Sequence, residues 1–174
     1  MSKRQITIAI DAMGGDESPF KTLKGAEIFL EKQSNVFLKI FGDKDFILKT
    51  LKESKINLFN YEILNCVDNV NDNDNANTIL RSRKNSSIFK GLEFVKNNNY
   101  NSGFVSAGNT AALMILSRLI LGMIDGVNRP AICSNIPNKN SYSLMMDLGA
   151  NVYVSANNLM QFAFLNHKIS YEGG

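Results

Sequence analysis

Two short glycine-bearing segments carry the residue types best suited to chemistry in this sequence of 174 residues. The first, Asp11–Asp16, reads Asp-Ala-Met-Gly-Gly-Asp and follows the β-branched run Ile6–Ile10. Paired glycines let backbone N–H groups converge on an anion, because no Cβ stands in the way. A helix predicted to begin soon afterwards would add its positive N-terminal end. We expect Asp11, Gly14 and Gly15 either to cradle an anion or to form a tight turn that Asp11 caps.

The second segment, Ser106–Thr110, reads Ser-Ala-Gly-Asn-Thr and runs directly into an apolar helix predicted over Asn109–Leu121. Small residues and hydroxyls at a helix N-terminus are typical of an oxyanion or phosphate cradle. The same residues can also form an ordinary N-cap, which is worth ~1 kcal/mol, and the two roles are compatible. Because three small residues precede the cap, we favour anion binding. The candidate ligands are Ser106, Gly108, Asn109 and Thr110.

A basic stretch, Arg81–Ser87, falls within a long amphipathic helix predicted over Thr78–Lys96. In such a helix Arg81, Lys84 and Ser87 would share one face, because they are three residues apart. A basic face is usually solvated. With serines interleaved it could also bind phosphate or dock an acidic partner.

Another polar segment, Asp147–Asn151, ends the strand predicted over Ser143–Asp147. It would bring the Asp147 carboxylate and the Asn151 amide to the sheet edge where the glycine segments are expected. The alternative is a plain turn, since the spacing alone has little specificity.

Composition narrows the function classes. The chain is 44% apolar and 20% charged, with a net charge of +3, which is ordinary globular composition and gives no argument for nucleic acid. Cys66 and Cys133 lie far apart and His167 is the single histidine, so neither a disulfide scaffold nor a zinc site is expected. His167 is expected at a surface or helix end rather than in a catalytic triad. We expect the carboxylates of Asp11–Asp16 to cap and orient, not to hold magnesium.

The sequence lacks an apolar run of the ~18 residues that a membrane helix needs. The N-terminal apolar run Ile6–Ile10 is short and stops at Asp11, which does not fit a secretory signal. A cytoplasmic location is therefore expected.

Predicted strands and helices alternate along the chain. Strands are expected at Ile6–Ile10, Val36–Phe41, Tyr61–Cys66, Phe104–Ser106, Ala131–Ile136 and Ser143–Asp147. Helices are expected at Pro19–Gln33 (with Ser18 as N-cap), Phe46–Lys55, Thr78–Lys96, Asn109–Leu121 and Leu159–Asn166. This order predicts one α/β domain over residues 1–174, with a mostly parallel sheet covered on both faces. Such sheets bind ligands at the carboxyl ends of their strands, where the glycine segments lie.

With these motifs in place, the chain resembles the bacterial acyl-carrier-protein:phosphate acyltransferase family of phospholipid synthesis. Asp11–Asp16 is similar to the family's N-terminal signature. Further matching blocks follow in the family's order at Phe41–Asp43, Lys84–Ser87, Ser106–Met114, Arg129–Ala131, Asp147–Asn151 and Leu159–Ala163. Each block is modest, but seven in the right order across nearly the whole chain form a specific signal.

The resemblance implies a Rossmann-like, three-layer α/β/α fold with a mostly parallel, mixed sheet, similar to the isopropylmalate dehydrogenase and phosphotransacetylase folds. It implies transfer of a fatty acyl group from acyl carrier protein to inorganic phosphate, giving acyl phosphate, without a cofactor. Phosphate is then the nucleophile, so no serine or cysteine nucleophile is required. The implied partners are acyl carrier protein, phosphate, a second copy in a homodimer and a downstream glycerol-3-phosphate acyltransferase, with peripheral contact at the inner face of the membrane.

The resemblance also implies roles for individual residues. The expected phosphate and substrate ligands are Asp11, Gly14, Gly15, Ser86, Ser87, Ser106, Gly108 and Thr110. The expected catalytic residues are Lys84, Asn109, Asp147 and Asn151. Carrier proteins are acidic, so the expected docking residues are Arg81, Arg83 and Lys90.

Three departures from the family pattern leave an alternative open. Ala111 stands where the family has glycine, and Ala76 stands where proline is common. The chain ends at Gly174, about halfway along a typical member, so we expect the N-terminal part of a longer fold. The alternative is a non-catalytic remnant that binds acyl carrier protein or needs a partner chain. An unrelated phosphate- or nucleotide-binding α/β domain has little support, because Gly14 and Gly15 match neither common nucleotide-binding motif.

Overall fold

The computed structural model describes residues 6–68, 70, 76–98 and 101–172. They form two compact units, the first ending at Leu121 and the second beginning at Gly122. The strands of the first unit are β1 (Ile6–Asp11), β2 (Val36–Gly42), β3 (Tyr61–Asn65) and β4 (Ser102–Val105). Its helices are α1 (Phe20–Lys32), α2 (Lys44–Glu53), α3 (Ala76–Ser82), α4 (Ser87–Asn98) and α5 (Thr110–Ile120). The second unit contains β5 (Cys133–Pro137), β6 (Tyr142–Met146) and α6 (Ala156–Glu172).

The first unit is built on a four-stranded parallel sheet in the order β3-β2-β1-β4. At the centre, Ile10 of β1 lies opposite Ile40 of β2 and Val105 of β4. The short β-branched run of β1 is typical of a strand buried on both faces, and Ala9 and Ile10 are both buried. The predicted α/β architecture with a parallel sheet is therefore confirmed.

Helices cover both faces of this sheet. On one face α1 and α2 pack on the sheet through a cluster that includes Leu23, Leu30, Ile47, Leu38 and Ile40. On the other face α4 packs against a second cluster that includes Ala9, Phe41, Cys66, Phe94 and Phe104. Successive strand residues point to opposite faces, so β1 places Ala9 in one cluster and Ile10 in the other.

One predicted helix is two helices. The expectation of a continuous helix over Thr78–Lys96 is wrong, because the chain leaves helical geometry between α3 and α4. The Ser86 hydroxyl donates to the Arg83 carbonyl at 2.7 Å and accepts from the Phe89 N–H at 3.3 Å. The Asn85 N–H donates to Asp68 Oδ2 at 2.9 Å. These local bonds give the backbone an alternative to the helix.

Because of this break, Arg81, Lys84 and Ser87 do not share the face of one helix, as the spacing had predicted. Arg81 belongs to α3, Lys84 to the turn and Ser87 to α4.

The start of α1 also differs from prediction. The helix begins at Phe20, after Pro19, and has no side-chain cap. Ser18, the predicted cap, donates its hydroxyl to the Gly14 carbonyl instead. Ser18 thus stabilises the glycine turn rather than the helix end.

Helix α5, apolar along most of its length, is buried on one face only. Ala112, Leu116 and Ile120 are buried, at a spacing of four residues that defines a single stripe. Leu119 is 58% exposed. As predicted, Asn109 caps the helix, accepting from the Ala112 N–H at 2.8 Å.

The second unit is a hairpin followed by a helix. Strands β5 and β6, close to the strands predicted at Ala131–Ile136 and Ser143–Asp147, pair antiparallel, and Asn138 Oδ1 accepts the N–H groups of Asn140 and Ser141 in the turn between them. Helix α6 is longer than predicted at both ends. It starts with a reciprocal cap in which Ser155 Oγ accepts from the Asn158 N–H and Asn158 Oδ1 accepts from the Ser155 N–H.

The polar, Asp- and Asn-rich stretch 68–77 lies mostly outside the described residues, and its last two residues begin α3. The single domain over residues 1–174 stays a prediction beside the two units. Across the described ranges, every helix is too short or too polar to traverse a bilayer.

Candidate functional site

The two glycine segments of the first unit meet through a buried carboxylate. Asp11 is 1% exposed, and its Oδ1 accepts the N–H groups of Met13 at 3.0 Å and Gly14 at 3.1 Å. The Ser106 hydroxyl donates to Asp11 Oδ2 at 2.7 Å and accepts the Gly108 N–H at 3.1 Å. The turn after β1 and the turn after β4, 95 residues apart, are therefore joined by one hydrogen-bond network.

The glycines are required because the two turns approach very closely. A Cβ on Gly14 would lie 2.7 Å from the Gly108 nitrogen and 2.5 Å from Asp11 Oδ2. A Cβ on Gly15 would lie 2.9 Å from the Ala107 carbonyl oxygen, and Gly15 has φ of +88°, which side chains disfavour. Any other residue at either position would force the two backbones apart.

A cavity of about 350 Å³ opens where these turns meet. Six of the residues predicted for the site contribute to its lining: Asp11, Gly14, Gly15, Ser87, Gly108 and Asn109. The convergence of the two glycine segments, expected from the rule for parallel sheets, is thus present in the structure.

The amide donors of the two turns differ from the expectation that all of them face an anion, and Thr110 is not among the described residues that line the cavity. The N–H groups of Gly14 and Gly108 already donate to Asp11 and Ser106. In the part of the chain that the structure describes, the N–H groups of Gly15 and Thr110 have no recorded acceptor. Thr110 is the first residue of α5, so its N–H carries the positive end of that helix.

Ser87 adds a hydroxyl to the wall. The residue is 4% exposed, begins α4 and lines the cavity. Its hydroxyl makes no recorded hydrogen bond within the described ranges. A hydroxyl can donate one hydrogen bond and accept others, so this group in the lining can bind a ligand oxygen.

Ser86, predicted beside Ser87 as a ligand, is used differently. Its side chain is 1% exposed, and its hydroxyl caps α4 through Arg83 and Phe89. It does not belong to the described lining of the cavity.

The charge around the cavity is acidic in the described residues. Asp11 and Asp16 contribute to the lining, and no lysine or arginine among the described residues does. Lys84 is exposed in the turn between α3 and α4. Lys90 donates its ammonium to the Asn65 carbonyl oxygen at 3.2 Å. The cationic role predicted for Lys84 therefore stays a prediction.

Cys66 is buried near the same sheet edge but is a poor nucleophile. Burial raises the pKa of its thiol to about 11, against the opposing charge of Lys90. At neutral pH the thiol is protonated, and only the thiolate is strongly reactive.

Asp147 and Asn151, in the second unit, form a compact network of their own. Asp147 Oδ1 accepts the N–H groups of Ile132 at 3.0 Å and Ala150 at 3.1 Å. Its Oδ2 accepts the backbone and side-chain N–H groups of Asn151, both at 2.9 Å. Burial alone would raise the pKa of Asp147, but the hydrogen bonds from Asn151, Ile132 and Ala150 outweigh it and lower the pKa.

The side chain of Asn151 also donates to the Pro130 carbonyl oxygen at 2.8 Å. The predicted pair is thus brought together, in an arrangement that ties the chain before β5 to the turn after β6.

Sequence reasoning missed three features of the site. The bridging role of Ser106 depends on a contact between distant segments and leaves no local signal. Val70 and Ile88 form apolar wall, which simple polarity patterns do not mark. Asp16 was expected only to cap and orient, and its place in the cavity lining was not predicted. Among the described residues, no three histidine, cysteine, aspartate or glutamate side chains are grouped to hold a metal ion.

Comparison with known proteins places this geometry in a family. The family model described as "Fatty acid synthesis protein" matches residues 6–172. A phosphate acyltransferase of Ehrlichia ruminantium (strain Gardel) is 40% identical over 163 residues, covering 92% of this chain and 48% of that protein. A phosphate acyltransferase of Wolbachia pipientis subsp. Culex pipiens (strain wPip) is 43% identical over 164 residues, covering 92% and 47%.

A more distant relative, a phosphate acyltransferase of Caldicellulosiruptor bescii, is 36% identical over 156 residues, covering 90% of this chain and 46% of its own. The chain spans about half the length of the curated relatives it matches. The family match covers nearly all of the chain, including both glycine segments and the Asp147 network. The chain therefore belongs to the fatty acid synthesis protein family, among whose members are the phosphate acyltransferases.

Proposed function

We propose that the chain contributes the phosphate-binding half of a phosphate acyltransferase, which moves a fatty acyl group from acyl carrier protein to inorganic phosphate. The observation that carries the proposal is the meeting of the two glycine turns at one cavity, in a chain of this family. The names of the relatives supply the reaction class.

The chemistry required is modest, and the cavity offers groups for it. A phosphate oxygen attacks the thioester carbonyl, the new C–O bond forms, the C–S bond breaks, and the carrier protein leaves as its thiol after taking up a proton. The N–H groups of Gly15 and Thr110 and the Ser87 hydroxyl would hold phosphate oxygens. Fixed donors of this kind lower the barrier by orienting the reactants and by stabilising the oxyanion.

The other site residues complete the proposal. Lys84 would bring positive charge to the phosphate from the exposed turn, and Asn109 would position the helix end that it caps. Asp147 and Asn151 would orient groups from the second unit.

The basic residues Arg81, Arg83 and Lys90 would attract an acidic carrier protein. We extend the proposal to a cytoplasmic homodimer with peripheral membrane contact, whose product a glycerol-3-phosphate acyltransferase consumes.

The direct test is formation of acyl phosphate by the purified chain from palmitoyl carrier protein and phosphate, followed by mass spectrometry. We expect phosphate-dependent product, and a loss of about ten-fold or more in Lys84→Ala, because removing an ionic contact costs ~1.5–3 kcal/mol. Lys96→Ala, at the far end of α4, is the matched control. In the same assay, Arg81→Glu should raise KM for carrier protein at low salt. Unchanged turnover in Lys84→Ala, or unchanged KM in Arg81→Glu, would remove that residue from the scheme.

A second candidate function is binding without catalysis, and it rests on the share of the relatives' length that this chain matches. Because the chain matches about half of their length, the same cavity could bind phosphate or carrier protein without turnover. Phosphate binding by the chain in the absence of acyl phosphate formation would favour this reading.

A further inference from the structure

We infer that Asp11 and Ser106 are positioning residues that set the distance between the two anion-binding turns, and that neither binds the anion itself. This inference rests on the proposed function, and it revises the ligand roles predicted for both residues from the sequence.

The first support for this inference is the set of hydrogen bonds that Asp11 and Ser106 make. Asp11 uses Oδ1 for the N–H groups of Met13 and Gly14 and Oδ2 for the Ser106 hydroxyl. The Ser106 oxygen in turn accepts the Gly108 N–H. The carboxylate is 1% exposed and faces three donors, so its negative charge is satisfied within the protein.

The second support is the burial and the negative charge of the Asp11 carboxylate. A carboxylate has no proton to donate to phosphate at neutral pH, and direct contact would place two negative charges together. Asp11 instead draws the Met13 and Gly14 N–H groups toward itself. The Gly15 N–H is left without a recorded acceptor among the described residues.

The third support is the close approach of the two glycine turns around Asp11 and Ser106. A Cβ at Gly108 would lie 3.2 Å from the Gly14 Cα and 3.3 Å from both Asp11 Oδ2 and Ser106 Oγ. The turns are therefore in contact around the carboxylate–hydroxyl pair. Loss of that pair should let the turns separate and move the donors at Gly15 and Thr110 out of register for one anion.

The test compares Ser106→Ala with Ser106→Thr and uses inorganic phosphate as the probe. Phosphate affinity is measured by titration of backbone amide NMR signals. In the same samples without phosphate, the nuclear Overhauser contact between Gly14 and Gly108 reports the separation of the turns. Ser106→Ala should weaken phosphate binding about ten-fold, which corresponds to ~1.4 kcal/mol, and should weaken this contact. Ser106→Thr, which keeps the hydroxyl, should restore both.

Ser102→Ala is the matched control, since Ser102 begins β4, the strand that leads to Ser106, and its buried hydroxyl has no partner among the described residues. It should leave phosphate affinity and the Gly14–Gly108 contact unchanged, because it removes a hydroxyl without breaking a hydrogen bond between the turns. Unchanged phosphate affinity in Ser106→Ala overturns the inference alone. A wild-type chain that does not bind phosphate overturns the proposed function and the inference with it.

Discussion

Asp11 and Asp147 each stabilise a turn at the end of a strand by accepting backbone N–H groups. They differ in what surrounds the turn. Each accepts nearby backbone N–H groups, Asp11 from Met13 and Gly14 and Asp147 from Ala150 and Asn151. Asp147 closes a turn within the second unit. Asp11 also bonds to a residue 95 positions later and borders a cavity.

Close approach of a second turn distinguishes the Asp11 turn, a candidate site, from the ordinary turn at Asp147. A carboxylate that satisfies local N–H groups is a common structural device. The Asp11 turn becomes a candidate site because glycines let a second turn approach it closely, as the 2.7 Å from a Gly14 Cβ to the Gly108 nitrogen shows. By the same measure, a Cβ on Gly149 in the Asp147 turn would meet nothing within 4 Å.

The largest expected effect comes from adding one methyl group at the close approach. Gly14→Ala should destabilise the first unit by about 1–3 kcal/mol, because its Cβ would overlap backbone that cannot move aside. Urea unfolding measures the change. Gly25→Ala in α1 is the matched control, since its Cβ meets nothing within 4 Å and alanine should stabilise the helix by ~0.5–1 kcal/mol. Equal effects of the two substitutions would contradict the close approach of the turns.

The substitution Asp147→Asn tests how the second carboxylate contributes to the pH dependence of stability. Folding lowers the pKa of Asp147, so its contribution to stability is present above the ordinary value of 3.8 and is lost as the pH falls through the lowered pKa. Asp147→Asn should cost ~1–3 kcal/mol at pH 7, because a charged acceptor is replaced by a neutral one. It should also flatten the acid limb of the stability curve. Hydrogen exchange at the amides of Ile132 and Ala150 monitors both.

An exposed carboxylate provides the control for this experiment. Asp125→Asn lies in the same unit and should leave exchange at those amides unchanged. If Asp147→Asn retains the wild-type acid dependence, the hydrogen bonds of Asp147 are not what stabilises the turn.

The sequence predicted much of the fold because its signals are local. The β-branched run Ile6–Ile10 marked β1, the apolar segment Val36–Phe41 marked β2, and Asn109 marked the start of α5. The break after Ser82 was missed because the amphipathic pattern of Ile88–Lys96 was extended back through Arg81–Ser87, a segment without apolar residues. What ends α3 is a pair of bonds, from the Asn85 N–H to Asp68 and from the Ser86 hydroxyl to the Arg83 carbonyl, and Asp68 is distant in sequence.

The candidate site was predicted in outline for a different reason. The carboxyl ends of parallel strands share one edge, so topology alone brings the turns after β1 and β4 together. Topology cannot assign each N–H group to an acceptor. Gly14 and Gly108 line the cavity, and their N–H groups donate to Asp11 and Ser106, an assignment that the sequence could not supply.

The smallest predicted effect concerns Asp16, the exposed carboxylate in the cavity lining. If the cavity binds phosphate, this charge opposes binding, because described lysines and arginines are absent from the lining. Asp16→Asn should tighten phosphate binding by about two- to five-fold at low ionic strength, and most of the gain should vanish near 0.5 M salt, where the Debye length is only ~4 Å. Asp45→Asn on α2 should have no effect. Weaker phosphate binding in Asp16→Asn would instead mean that Asp16 holds a proton or a cation that bridges to phosphate, and the separation of roles between Asp11 and the rest of the cavity would have to be redrawn.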